Sequence, residues 1–235
     1  MKIIGSFKTL SKFEWGLWLV SMAVITVSFI LGNEFQFLTL IASLIGVTSL
    51  IFIAKGNVLG QTLLLIFCLL YAVISFGFRY YGEMITYLGM TAPMAVLAII
   101  SWLKNPFEEG KQEVEIAKLT KTKVIVMIIL TIVVTAIMYF ILEFFHTANL
   151  VLSTISISTS FIGAYLTFCR NSLYALGYAA NDLVLVGLWI LASMENTGYI
   201  PMVLCFVMFF FNDYYGFYNW NRMKKWQHAT RKQAE

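Results

Sequence analysis

Eight predominantly apolar stretches, at about 13–31, 36–54, 58–78, 83–103, 123–145, 149–169, 173–193 and 197–220, take up most of this 235-residue chain. Each matches the roughly 20 residues that a helix needs to cross a ~30 Å hydrocarbon layer. Inside such a layer the backbone has no water to bond, so these stretches can only be helices, and the chain leaves no room for a separate soluble domain. Composition agrees, at 60% hydrophobic and 12% charged residues with a mean hydropathy of +0.82. Soluble domains carry about 25% charged residues, and disordered or collagen-like chains are far less apolar. The expectation is an all-α integral membrane protein with eight transmembrane helices. Cys68, Cys169 and Cys205 are an odd set within apolar runs and read as buried thiols.

The first run follows Lys2, Lys8 and Lys12, as a signal peptide's apolar region would. It is too long for that, and Asn33-Glu34-Phe35 leads straight into a second span without a small-x-small cleavage site, so it reads as a retained helix. With sides alternating from span to span, every Lys and Arg falls on one face except Arg79. That face carries Lys55, Lys104, Lys111, Lys118, Lys121, Lys123, Arg170 and the basic residues of both termini. The positive-inside rule then places both termini in the cytoplasm of a plasma-membrane protein. The longest connection, Asn105 to Lys123, mixes Glu108, Glu109, Glu113 and Glu115 with lysines and reads as a solvated linker or one short surface helix.

Spans two to four and six to eight read as two copies of one unit. In each, the first helix ends on a basic residue, Lys55 or Arg170, followed by Gly56-Asn57 or Asn171-Ser172. Each closes on a tryptophan followed by a basic residue, Trp102-Leu103-Lys104 or Trp220-Asn221-Arg222. The basic-to-Trp separations are 47 and 50 residues. A single helix between the copies leaves both in the same orientation, the parallel arrangement of SWEET-type transporters, which hold substrate between the halves near the midplane. The regions are 1–35, an extra N-terminal helix; 36–104, the first unit; 105–148, loop and linker helix; 149–221, the second unit; and 222–235, a basic tail.

Two acids, Asp182 and Asp213, stand out as deep within a span. A carboxylate at mid-membrane costs ~2.5–3.5 kcal/mol on insertion scales, so it should face a cavity or a partner. At 100° per residue, Tyr174, Tyr178, Asn181, Asp182, Leu185 and Trp189 share one stripe. On the last span Asp213, Gly216, Phe217 and Trp220 share another, with Asn212 at its edge. The third span offers Gln61, Cys68, Ala72 and Ser75, and the fourth Tyr87, Met90, Thr91 and Met94 around a kinking Pro93. Carboxylates, amides and aromatic faces together suit a small polar ligand with a flat ring, cationic or neutral. Blander readings stay open: Trp220 as an interface anchor, Asn181 as a bridge between helices, the tyrosines as packing.

Enzyme signatures such as Gly-x-Ser-x-Gly or H-E-x-x-H are absent from the sequence, and the two histidines are His146 and His228. No enzyme activity, cofactor, metal or nucleic-acid partner is expected. The expected partners are a small-molecule substrate and the bilayer, with assembly of several copies left open.

The segment Asn212-Asp213-Tyr214-Tyr215-Gly216-Phe217-Tyr218-Asn219-Trp220-Asn221-Arg222 resembles the closing segment of PnuC-type vitamin transporters. Asn171 with Asn181-Asp182 ten residues on resembles their penultimate helix, and Ala42-Ser43-Leu44-Ile45-Gly46 with Lys55-Gly56-Asn57 their opening one. The resemblance covers about 36–225. It implies a SWEET-like three-plus-one-plus-three fold carrying nicotinamide riboside by facilitated diffusion, with a cytoplasmic kinase trapping the product. Relatives that carry thiamine or other nucleosides make those the alternative substrates; a non-transporting subunit or an intramembrane enzyme is the more distant alternative. Phe217, Ile99 and Ser172 stand where family members often have tryptophan. The site is expected to use Asp182 and Asn181 for polar contacts, Asn212 and Asp213 for the ribose or the cytoplasmic gate, and Tyr178, Phe217 and Trp220 around the ring. Gln61, Tyr87 and Thr91 are candidates from the first unit, and Pro93, Gly177 and Gly216 are candidate flex points.

Overall fold

A computed structural model of the chain describes residues 3–32, 36–77, 81–108 and 113–234. Lys2, Asn33, Glu34, Phe35, Arg79, Glu109 and Lys111 of the sequence reading lie outside them. Among the described residues eight helices are long and apolar enough to span a membrane. They are α1 (Lys12–Leu31), α2 (Phe37–Ala54), α3 (Val58–Gly77), α4 (Tyr81–Leu103), α5 (Lys121–Phe144), α6 (Leu150–Phe168), α7 (Tyr174–Glu195) and α8 (Ile200–Ala234).

α2, α3 and α4 pack together, and so do α6, α7 and α8. The two triplets meet where α2 lies against α8 and α4 against α6. α5 packs outside α6 and turns Ile125, Ile128, Ile129, Ile132 and Phe140 outward. A helix so apolar around its circumference is explained by lipid contact. Backbones approach closely where glycine leaves room: a methyl on Gly177 of α7 would lie 2.7 Å from the Gly163 nitrogen of α6. At Gly216 it would lie 2.7 Å from the Tyr174 hydroxyl. Both candidate flex glycines thus have packing roles.

Pro93 cannot donate to the carbonyl four residues back and its ring crowds that carbonyl. α4 accommodates it with a π-turn, Tyr87–Thr91, in which the Ala92 N–H reaches back to the Tyr87 carbonyl. The widened turn sets Tyr87 and Thr91 into the interior.

α1 begins with a capping box between Ser11 and Glu14. Glu14 is buried and accepts from the Tyr215 hydroxyl of α8 at 2.7 Å and from Lys55 Nζ at 3.3 Å. Farther along, Ser21 accepts from Asn212 Nδ2 at 3.0 Å. This polar seam fixes the extra helix to α2 and α8.

The described part of the 105–120 connection, residues 105–108 and 113–120, corrects the sequence reading, being neither a solvated linker nor a helix. Residues 113–117 run extended, with Val114 and Ile116 buried. The Val114 N–H donates to the Gly56 carbonyl at 3.0 Å and the Ala117 N–H to the Arg170 carbonyl at 2.9 Å, so the segment straps the end of α2 to the end of α6. Glu113-Val114-Glu115-Ile116 alternates acidic and apolar residues, a two-residue period with one face in and one out. α8 completes the strap. Its 35 residues span ~52 Å at 1.5 Å each, well beyond a ~30 Å bilayer core. Gln227, on the protruding part, accepts from the Ile116 N–H at 2.9 Å and donates to the Val114 carbonyl at 3.0 Å. The basic residues of the tail, Arg222 to Lys232, therefore lie on a helical extension of α8. We call this the basic end of the molecule and the opposite one the far end. Cys68, Cys169 and Cys205 are free and buried.

Candidate functional site

The polar stripes of α7 and α8 meet in the interior. Asp182 and Asp213 are both buried, and their carboxyl groups lie within hydrogen-bonding reach of one another. Asp182 Oδ2 has no hydrogen-bond partner. Asn181, on the same helix, accepts from Ser156 at 2.8 Å and Thr159 at 3.2 Å through Oδ1. Its Nδ2 makes no hydrogen bond among the described residues and remains available to a ligand.

These groups border a chain of cavities. At the far end an opening of about 520 Å³ is lined by Glu83, His146, Thr147, Trp189, Glu195 and Tyr199 among others. It shares Glu83, Thr147, Ser153 and Leu185 with a chamber of about 60 Å³. That chamber in turn shares Tyr87, Thr91, Ser160 and Asn181 with an inner one of about 70 Å³, which also holds Tyr174, Tyr178, Asp182 and Asp213. The route is wide at the far end and narrow inside.

Toward the basic end it is shut. Trp102 and Trp220 are fully buried with ring centroids 5.5 Å apart. Trp220 Nε1 donates to the Ile53 carbonyl at 2.9 Å, and Trp102 Nε1 to the Thr167 carbonyl at 3.0 Å. The preceding residues repeat the pattern: Asn219 Nδ2 donates to the Ala54 carbonyl at 2.9 Å and Ser101 Oγ to the Phe168 carbonyl at 2.8 Å. Each triplet's last helix is tied to the end of the other's first. Tyr174 rests on Trp220 edge to face at 4.7 Å and forms the chamber's floor.

Of the residues singled out from the sequence, Asp182, Asn181, Tyr178, Asp213, Tyr87 and Thr91 line the inner chamber together. Trp220 is a buried lock beneath it, which replaces the interface-anchor reading, since no part of the side chain is exposed. Asn212 points away, to Ser21 of α1 and its own helix's Met208 carbonyl, because it stands about 100° around α8 from Asp213. Phe217 is half-buried in the main core and Gln61 is buried with Nε2 unpartnered; neither borders the described cavities. Sequence reasoning missed Glu83. It opens the fourth apolar run, where an acid passes for a helix-end residue, but its four-residue spacing from Tyr87 was a usable signal.

A bundle of membrane helices with carboxyls, an amide and aromatic rings around an interior chamber, open to one end and locked at the other, is built as a carrier for small polar solutes. The chain belongs to the nicotinamide mononucleotide transporter family, whose sequence model matches residues 36–222. It is 26% identical over 214 residues to the nicotinamide riboside transporter PnuC of Neisseria mucosa, covering 89% of this chain and 81% of that one. With the PnuC of Haemophilus influenzae the identity is 24% over 210 residues, covering 89% and 90%. A crystal structure of the vitamin B3 transporter PnuC superposes with a TM-score of 0.77 at 25% identity, covering 93% of this chain and 94% of that one. The resemblance carried by the α7 and α8 motifs holds at the level of the family and of the fold.

Proposed function

We propose that the protein takes up nicotinamide riboside, with the substrate's pyridinium ring beside Asp182 and Asp213 and its amide or ribose against Asn181. The observation that carries this reading is the charge of the inner chamber: two carboxyls and no Lys or Arg among its described lining residues. A cationic ring offsets the buried acids, whereas the phosphate of the mononucleotide would meet like charge. Tyr178, Tyr174 and Tyr87 supply faces for the ring.

On this reading the basic end faces the cytoplasm of a plasma-membrane protein, as the lysine and arginine distribution favours, and the cavity route opens outward. The triplets act as SWEET-like halves that rock about the chamber, breaking the Trp102 and Trp220 bonds as the inner side opens. The matching bonds made by Asn219-Trp220 and Ser101-Trp102 support that pairing. Transport is facilitated diffusion, with trapping by a cytoplasmic kinase; the chain itself performs no chemistry.

Titration calorimetry on the purified protein with nicotinamide riboside, nicotinamide mononucleotide and thiamine tests the substrate, and uptake into proteoliposomes without an imposed gradient tests the mode. Selective riboside binding with equilibrating uptake is expected. Thiamine binding in its place would keep the carrier and change its cargo, and no binding of any of the three by folded protein would overturn the proposal.

A further inference from the structure

The route to the chamber passes a second acid with its own aromatic surroundings. Glu83 of α4 borders the wide far-end cavity, the outer chamber, and a small side cavity of about 20 Å³. Tyr71 of α3 lies within hydrogen-bonding reach of it, while its Oε2 is shielded from solvent and has no partner. It makes no ion pair among the described residues, and of the bases among those residues His146 lines the wide cavity beside it while no Lys or Arg does. Trp189 of α7 and Tyr199, just before α8, pack with centroids 5.5 Å apart and border two of the same cavities as Glu83. Tyr71 and Tyr87 add a further ring pair at 4.5 Å.

A carboxylate with a free, desolvated oxygen is costly to keep unless something positive visits it. Aromatic faces beside it select a flat, soft cation over a hydrated metal ion. Resting on the transport reading above, we propose that Glu83, Trp189 and Tyr199 form an outer station that captures an aromatic organic cation before it passes inward. The path then runs by Tyr87 and Thr91 to Asn181 and Asp182, residues that border both inner chambers or the deeper one. The station sets capture of the charged ring and is distinct from the Asp182 and Asp213 pair, which holds it at mid-depth.

The test is initial uptake of labelled nicotinamide riboside into proteoliposomes, with its inhibition by the uncharged 1,4-dihydro riboside, which keeps the same shape. Glu83→Gln should raise KM for the cation by about tenfold, the scale of one charge-assisted contact, with the maximal rate little changed. Inhibition by the uncharged isostere should stay at the wild-type level. An unchanged KM, or equal weakening of both ligands, would overturn the station. If Glu83→Gln does not fold, Trp189→Leu is judged by the same selective loss for the cation. Absence of riboside uptake by folded wild-type protein would overturn the transport reading, and this proposal with it.

Discussion

Trp102 and Trp220 stand ring to ring at 5.5 Å, each donating its indole N–H to a carbonyl at the end of the other triplet's first helix. The two halves are therefore fastened to each other through the same pair of side chains that fill the space between them. Trp220→Phe removes one bond and part of the packing, a loss of about 1–3 kcal/mol. Trp102→Phe should cost a similar amount. Because the rings touch, the double variant should lose less than the sum of the two, read from melting curves of the purified proteins.

Asp182→Asn separates ligand contact from stability. Replacing one of two facing buried carboxyls by a neutral isostere relieves repulsion, so the melting temperature should hold or rise. Riboside affinity should fall by about 10- to 100-fold, the loss of one buried contact between opposite charges. Calorimetry beside thermal melting gives both readings, and a stable variant with wild-type affinity would remove Asp182 from the site.

The opposite pattern is expected at Asn212. Its amide ties α8 to Ser21 of α1 and does not border the chamber. Asn212→Ala should destabilise the fold by about 1 kcal/mol and leave the riboside KM at the wild-type value. A large KM change with unchanged stability would return Asn212 to the binding site.

Gln227 holds the strap through both ends of its amide, bonding Ile116, Val114 and, at 3.0 Å, the Glu113 carboxylate. Gln227→Ala leaves the buried Ile116 N–H without that acceptor, at about 1–3 kcal/mol, and should free the segment locally. Limited proteolysis between residues 105 and 120 should accelerate in the variant, while the membrane core still resists.

Much of this protein is set by local rules that a sequence carries openly. Runs of apolar residues long enough to cross a bilayer must be helices, whatever their neighbours, which is why the eight spans were legible. The periodicity of α7 put Tyr178, Asn181 and Asp182 on one face because a helix's geometry does not depend on its partners. What faces that stripe was decided by packing. Asn212 and Asp213 are adjacent in sequence, yet one seals α1 and the other meets Asp182, a choice made by the rotation of α8 between two neighbours. Glu83 looked like a helix-end acid until α3 and α7 brought Tyr71 and Trp189 around it. The 113–117 strap looked like part of a solvated linker because the charged residues of the 105–123 connection outnumber its apolar ones. The ends of α2, α6 and α8, distant in sequence, supply carbonyls and an amide that order it. Helix formation is settled by bonds within a few residues, so the sequence alone determines it; the lock, the strap and the acid pair depend on bonds between residues far apart in the chain, which exist only once the helices have packed.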